Sequence, residues 1–114
     1  MNQTDVKYDY EKEGTFSERF PVLYDEKQRN RKAAKVIAVC RHYSSRPLNE
    51  LVALDLGAST SIMTEYFARH FKRIIALDVD HVGLKSGKSA SESGNIMYLC
   101  ADGTRSALRD GSVD

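Results

Sequence analysis

Three short apolar runs, each of which ends in an acidic residue, constrain the fold of this chain more than any other feature. The runs are LVALD (residues 51–55), RIIALDVD (73–80) and GNIMYLCAD (94–102). Apolar residues at successive positions are typical of strands that are covered on both faces, as in a parallel sheet. The runs therefore predict three parallel strands whose acidic residues meet at one edge of the sheet, where open α/β sheets bind ligands.

The segments before and between these runs predict helices. Residues 25–44 carry apolar side chains at helical spacing, and Asp25 precedes them as a capping residue. A second helix is expected to begin at Ser59 or Thr60, with a hydroxyl group as its N-cap. Residues 81–93 predict a third helix of low intrinsic propensity, because the segment is rich in glycine and serine. The alternation of strands and helices predicts an α/β fold with right-handed crossovers.

Composition and charge exclude several classes of protein. The 114 residues suffice for one domain, and 17 basic residues against 16 acidic ones leave a net charge of +1. This balance gives no global attraction to nucleic acid or to an anionic membrane. No apolar run is long enough to span a bilayer, and the N-terminal residues lack the apolar core of a secretory signal. Cys40 and Cys100 show no metal-like spacing, so we expect reduced thiols, no metal site and a cytoplasmic location.

The small residues that follow the first strand mark a candidate binding loop. Gly57, Ala58 and Ser59 would allow a sharp turn and the close approach of a ligand. The phosphate-binding pattern G-x-x-x-x-G-K-[ST] is excluded because no Gly-Lys pair follows Gly57 at the required spacing. The dinucleotide pattern G-x-G-x-x-G is incomplete because Ser59 and Ile62 stand where further glycines are needed. An acid after the second strand would suit the ribose of either a dinucleotide or an adenosyl ligand. The acids after the first and third strands would repel a pyrophosphate, and they suit a cationic ligand with an adenine amino group.

The sequence resembles the class I S-adenosylmethionine-dependent methyltransferases in three places. LDLGAST (54–60) resembles motif I of that family, which usually reads D/E-x-G-x-G-x-G, and Asp78 follows Asp55 by the family's distance to its ribose-binding acid. Residues 94–114 resemble the third strand and the lead into the fourth, and the whole resemblance covers residues 51–114. It implies a Rossmann-like doubly wound sheet, S-adenosyl-L-methionine as the cofactor, and methyl transfer to an unknown acceptor.

The resemblance places the cofactor site at the three strand ends. Its residues would be Asp55, Gly57, Ala58, Ser59, Asp78, Val79, Ala101, Asp102 and Gly103. Gly57 and the backbone after it would line the methionine end of the cofactor, and Asp55 would favour the ammonium group. Asp78 would accept hydrogen bonds from the ribose hydroxyls, and Asp102 would accept one from the adenine amino group.

The motif departs from the family's pattern at two positions. Ser59 and Ser61 replace the second and third glycines of motif I. Because serine has a Cβ atom, a positive φ angle at either residue would be unfavourable. Asp80, which follows the ribose-binding acid, is expected to cap the third helix.

The catalytic residues stay unassigned, because in this family the groups that position the methyl acceptor follow strand four, beyond Asp114. His81 directly follows the second strand and is a candidate neighbour of the cofactor. His42 and His70 fall near the ends of predicted helices, where solvated or hydrogen-bonded histidines are expected.

The resemblance also implies that the sheet needs strands beyond this chain. In the family, strand four pairs with strand one, so without it residues 51–54 would form an apolar open edge that favours dimerisation or aggregation. We therefore expect residues 25–114 to be the N-terminal half of a methyltransferase domain, truncated before strand four.

The polar residues 1–24 predict an N-terminal arm, and Tyr8, Tyr10 and Tyr24 are candidates to fold over the cofactor. Two other functions stay open at this point. One is an NAD-binding Rossmann domain, and the other is a non-catalytic α/β module that pairs with a partner through the open edge. The acceptor could be a small molecule, lipid, sugar, protein or RNA, although the near-zero charge disfavours nucleic acid.

Overall fold

A computed structural model describes residues 25–114, and the predicted arm at 1–24 with its three tyrosines lies outside the described residues. The described helices and strands, in chain order, are α1 (Glu26–Tyr43), a 3-10 helix (Leu48–Glu50), β1 (Val52–Leu56), α2 (Ile62–Ala68), β2 (Arg73–Asp78), α3 (His81–Ala90), β3 (Ile96–Cys100) and a second 3-10 helix (Gly103–Arg105). No helix within residues 25–114 is both long enough and apolar enough to cross a membrane.

The three strands form one parallel sheet in the order β1-β2-β3. The central strand is the most deeply buried, and its Ile74 and Leu77 are each only 1% exposed. Burial of residues that point to both faces explains why the run from 74 to 77 is apolar at every position. The predicted α/β fold with parallel strands is confirmed.

A helical layer covers one face of this sheet. Ala33 and Ile37 of α1 belong to the same buried cluster as Phe67 of α2 and Ile74 of β2. The predicted start of α1 is correct, because Asp25 is its N-cap and accepts a hydrogen bond from the backbone N–H of Gln28. Packing of α1 and α2 on the strands leaves the carboxyl ends of the sheet to the loops.

The loop after α3 is fixed to α2 through Glu65. Its carboxylate accepts hydrogen bonds from the hydroxyls of Ser91 and Ser93, at 2.6 and 2.7 Å, and from the backbone N–H of Glu92. These bonds to an ionised acceptor lower the pKa of Glu65 against the opposing effect of burial. They also explain why α3 ends at Ala90 and not at 93, since the serines bond to Glu65 and do not continue the helix.

The edge of β1 is contacted at its first residue by Asp114. The backbone N–H of Asp114 donates to the carbonyl of Val52 at 2.8 Å, and the N–H of Val52 donates to the Asp114 carboxylate at 2.9 Å. Farther along the same strand, the side chain of Leu56 is 63% exposed. Dimerisation or aggregation through this edge stays a prediction.

Candidate functional site

The loop after β1 is anchored to the end of β2 by three hydrogen bonds. The backbone N–H groups of Gly57 and Ala58 both donate to the carbonyl of Leu77, at 2.8 and 3.1 Å. Asp78 accepts from the N–H of Ser59 at 2.7 Å through one carboxylate oxygen, and from the N–H of Asp80 at 2.9 Å through the other. Because each carboxylate oxygen has two lone pairs, Asp78 keeps acceptor capacity for a ligand while it holds the loop.

The backbone of this loop is left-handed at the three positions where the motif D/E-x-G-x-G-x-G has glycine. The φ angles are +83° at Gly57, +49° at Ser59 and +62° at Ser61. A left-handed residue other than glycine costs roughly 1–2 kcal/mol, so the two serines are strained. The expectation that a positive φ would be unfavourable here therefore applies, and the loop keeps the geometry without the glycines.

The start predicted for the second helix is wrong. The helix begins at Ile62, and its N-cap Ser61 makes no capping hydrogen bond with its side chain. Ser59 and Ser61 cannot enter a right-handed helix, because both are left-handed. The segment 57–61 is therefore a loop in which left-handed and right-handed or extended residues alternate. The helix begins after this loop, later than the small residues alone indicated.

Asp80 joins this loop to the third helix. Its side chain is 1% exposed, and it accepts a hydrogen bond from the N–H of Gly83 at 2.9 Å as the N-cap of α3. The Ser59 hydroxyl donates to the other oxygen of Asp80 at 3.3 Å. The predicted cap is confirmed, and the contact supplies Ser59 with a bond that a glycine could not make.

Two glycines of α3 allow the helix to approach the loop. A Cβ atom at Gly83 would lie 2.9 Å from the backbone carbon of Ser59, and one at Gly87 would lie 2.4 Å from the carbonyl oxygen of Thr60. Both distances are shorter than van der Waals contact. The residues that give α3 its low helix propensity are therefore the residues that let it pack against the loop, which sequence reasoning did not identify.

The carboxylate of Asp55 is partly buried next to the loop. The hydroxyl of Thr64, a fully buried residue of α2, donates to it at 2.6 Å. Burial raises the pKa of Asp55, the Thr64 hydrogen bond opposes this effect, and the nearby charge of Asp78 raises the pKa further. The ionised form is thus disfavoured in the free protein, and a cationic ligand group beside it would relieve that penalty.

The end of β3 contributes an exposed turn. Asp102 caps the second 3-10 helix and accepts from the backbone N–H and the hydroxyl of Thr104, at 2.9 and 2.8 Å. A Cβ atom at Gly103 would lie 2.7 Å from the Leu56 side chain, so this turn lies against the end of β1. Ala101 is tied to β2, because its N–H donates to the carbonyl of Asp78 at 3.0 Å.

The other predicted neighbours of the site lie at the start of α3. Val79 is 39% exposed, and its carbonyl accepts from the N–H of His81, the first residue of the helix. His42 stacks edge-on against Tyr43 in the last turn of α1. His70 follows α2 at the opposite edge of the sheet. Within residues 25–114, no cluster of three or more histidine, cysteine, aspartate or glutamate side chains is suited to a metal ion.

Comparisons with known proteins agree with this geometry. The sequence profile of the methyltransferase domain family matches residues 54–114. This match spans more than half of the chain, and the chain belongs to that family. A comparison with curated proteins finds no match.

A solved structure with a similar fold is that of a SAM-dependent methyltransferase from Anabaena variabilis ATCC 29413, with 25% sequence identity and a TM-score of 0.52. The alignment covers 64% of this chain and 30% of the other, so the chain spans less than a third of the length of that relative. The family resemblance and the fold are confirmed, while the cofactor-binding roles of individual residues stay predictions.

A Gly87→Ala substitution tests whether the third helix needs a glycine where it meets the loop. Alanine favours a helix by about 1 kcal/mol over glycine, but here its Cβ would meet the Thr60 carbonyl at 2.4 Å. We expect the free energy of unfolding to fall by about 1–3 kcal/mol, as for overpacking in a core. Urea denaturation followed by circular dichroism measures it. The exposed Ser86→Ala is the matched control and should be neutral or slightly stabilising, and a stabilised Gly87→Ala variant would contradict the packing.

An Asp55→Asn substitution tests the penalty of the partly buried carboxylate. Because burial raises its pKa in the folded state, the ionised group destabilises the fold once the pH exceeds the ordinary range for aspartate. The variant should therefore gain stability relative to the unsubstituted chain as the pH rises from acidic to neutral. Denaturant unfolding across that range measures the difference. Asp110→Asn, at an exposed position, is the control for the change in net charge. A pH-independent difference for Asp55→Asn would contradict the assignment.

Proposed function

We propose that this chain binds S-adenosyl-L-methionine at the carboxyl ends of its three strands and serves as the cofactor-binding half of a methyltransferase. The observation that carries this proposal is the left-handed loop at 57–61, held against the end of β2 by Asp78. Family membership supports the reaction type. The relative from Anabaena variabilis, described as SAM-dependent, supports the choice of cofactor.

The residues at this edge fit an adenosyl ligand with a positive charge. A Cβ atom at Gly57 would meet nothing within 4 Å, so the loop has open space beside this residue. Asp55 would favour the ammonium group of the methionine moiety, directly or through water. Asp78 would accept from the ribose hydroxyls, with Val79 beside it. Asp102 would accept from the adenine amino group.

In such an enzyme the protein acts mainly by positioning. The bound cofactor would supply an electrophilic methyl group on a positively charged sulfur, and its neutral thioether would be the leaving group when the methyl group passes to a nucleophilic atom of the acceptor. The loop and the three carboxylates would fix the cofactor, and much of the rate enhancement would come from this orientation. The acceptor is unassigned. The sequence resemblance favours the group that acts on small molecules and lipid-like precursors, and a cytoplasmic location stays a prediction.

Calorimetric titration with S-adenosylhomocysteine tests the proposal, after circular dichroism has confirmed that the chain is folded. We expect saturable binding that is stronger than binding of NAD. Stronger binding of NAD would favour the dinucleotide alternative. A folded chain that binds neither ligand would favour the non-catalytic module.

Variants of the acidic residues identify the binding edge. Asp78→Ala should weaken S-adenosylhomocysteine binding by about tenfold to a hundredfold, because hydrogen bonds to a charged acceptor contribute about 1.5–3 kcal/mol each. Since Asp78 also anchors the loop, Asp102→Ala separates the two roles: it should weaken binding while it leaves the bond between Asp78 and Ser59 in place and removes only the cap of the second 3-10 helix. Asp110→Asn is the control for charge. Unchanged affinity in both Asp78→Ala and Asp102→Ala would place the cofactor elsewhere.

A further inference from the structure

A cleft rich in arginine lies at the edge of the sheet opposite the proposed cofactor site. It has a volume of about 420 Å³ and lies between the end of α1, the loop before β1 and the end of α2. Its polar lining consists of Arg41, Arg46, Asn49, Arg69 and His70. β1 has five residues, so its length places the cleft roughly 16 Å from the carboxyl edge of the sheet.

The positive charges of this cleft are only partly balanced by acids. Arg46 lies 3.8 Å from the Glu50 carboxylate and 3.6 Å from that of Asp114, and all three side chains are about half exposed. Such long, exposed pairs contribute little. Within residues 25–114, the ion pairs at the cleft that lie within 4 Å involve Arg46. Arg69 lies over the ring of Tyr66, at 5.7 Å from its centroid, and its charge helps to lower the pKa of Glu65 without a close ion pair.

His70 adds a hydrogen-bond donor to the guanidinium groups. Its Nδ1 atom lies 3.0 Å from Nη2 of Arg41, which is a donor in every state, so Nδ1 accepts and Nε2 carries the proton. Burial lowers the pKa of His70, and the charges of Arg41 and Arg69 lower it further. Both effects favour the neutral imidazole, whose N–H group is then on Nε2.

Helix dipoles explain only part of this arrangement. The C-terminal end of a helix favours one cation, and Arg41 in the last turn of α1 and Arg69 after α2 fit that role. They do not explain why Arg46 comes to the same cleft from a loop. Nor do they explain why Arg41 is hydrogen-bonded to His70, which belongs to another element. A protonated His70 would be repelled by the Arg41 guanidinium, so this contact requires a neutral imidazole.

We propose that this cleft binds a phosphate group. Guanidinium groups bind phosphate with paired N–H donors. Arg41 in the last turn of α1 and Arg69 directly after α2 supply such groups, and His70 adds a ring N–H beside them. The net charge of +1 argues against a nucleic-acid backbone as the source. The site is distinct from the cofactor edge, and the proposal does not depend on the function proposed above.

Titration of the chain with inorganic phosphate, at constant ionic strength kept with chloride, tests the proposal by NMR. We expect saturable shifts of the His70 ring and a rise in its pKa, because a bound anion favours the imidazolium form over the repulsion from Arg41 and Arg69. His42 and His81 are internal references and should not move. Phosphate should also raise the melting temperature, since a ligand that binds only the folded state stabilises it.

Matched variants locate the bound phosphate. Arg41→Gln and Arg69→Gln should each weaken phosphate binding by about tenfold or more, whereas Arg31→Gln, which removes the same charge from α1 outside the cleft, should leave it within about twofold. Equal weakening by all three variants, or shifts that do not saturate, would overturn the proposal in favour of diffuse electrostatic attraction. If Arg41→Gln fails to fold, the His70 titration of the unsubstituted chain still decides.

The source of the phosphate group is distinguished by two further probes. If glycerol 3-phosphate changes the NMR signals of the His70 ring in the same way as inorganic phosphate, the ligand is a soluble phosphate ester. Co-sedimentation with phosphatidic acid vesicles, but not with phosphatidylcholine vesicles, that is lost in Arg41→Gln would indicate a lipid headgroup. Binding of S-adenosylhomocysteine should persist in both arginine variants, so failure at this cleft and failure at the cofactor edge are observed separately. Absence of phosphate binding in the folded chain would refute the cleft as a site.

Discussion

The carboxylate of Asp78 is the group on which the geometry of the candidate site depends. Its two oxygens hold the N–H of Ser59 on one side and the N–H of Asp80 on the other. Asp80 in turn caps α3 and accepts from Ser59. One acidic residue at the end of the central strand thus fixes both the loop after β1 and the start of the next helix. This explains how a single strand end can organise a site built from two crossover connections.

Hydrogen bonds in this network stabilise two serines whose backbone conformation is strained. Ser59 and Ser61 are left-handed, at roughly 1–2 kcal/mol each. In return Ser59 gains a backbone bond to Asp78 and a side-chain contact with Asp80, and Ser61 makes a longer contact of 3.4 Å with the Ser59 carbonyl. Strained residues that persist where surrounding bonds determine the conformation are typical of binding sites. The partly buried Asp55 adds an electrostatic penalty at the same edge.

Much of the fold could be predicted from the sequence, and the reasons are local. The three strands and their parallel orientation follow from apolar runs that alternate with helical segments. The cap at Asp25 follows from a side chain that can accept from the first helical turn. The start of α2 could not be predicted, because a row of small hydroxyl residues does not distinguish a capped helix from a loop with alternating handedness. The end of α3 depends on hydrogen bonds that the following residues Ser91 and Ser93 donate to Glu65. Glu65 lies 26 residues before Ser91, so no local pattern indicates them. The basic cleft unites residues from three separate segments, and no short motif marks it.

The two glycines of α3 change which positions of the chain are free to vary. A glycine-rich motif is usually thought to limit which residues the loop itself can carry. Here the atoms that exclude a Cβ at 83 and 87 include backbone atoms of Ser59 and Thr60, so they would remain whatever side chains the loop carried. The loop tolerates small side chains at 59 and 61, whereas the helix that packs on it does not. In a search for distant relatives of this chain, the pair G-x-x-x-G in the crossover helix would therefore be a more informative signature than the diminished motif that precedes it.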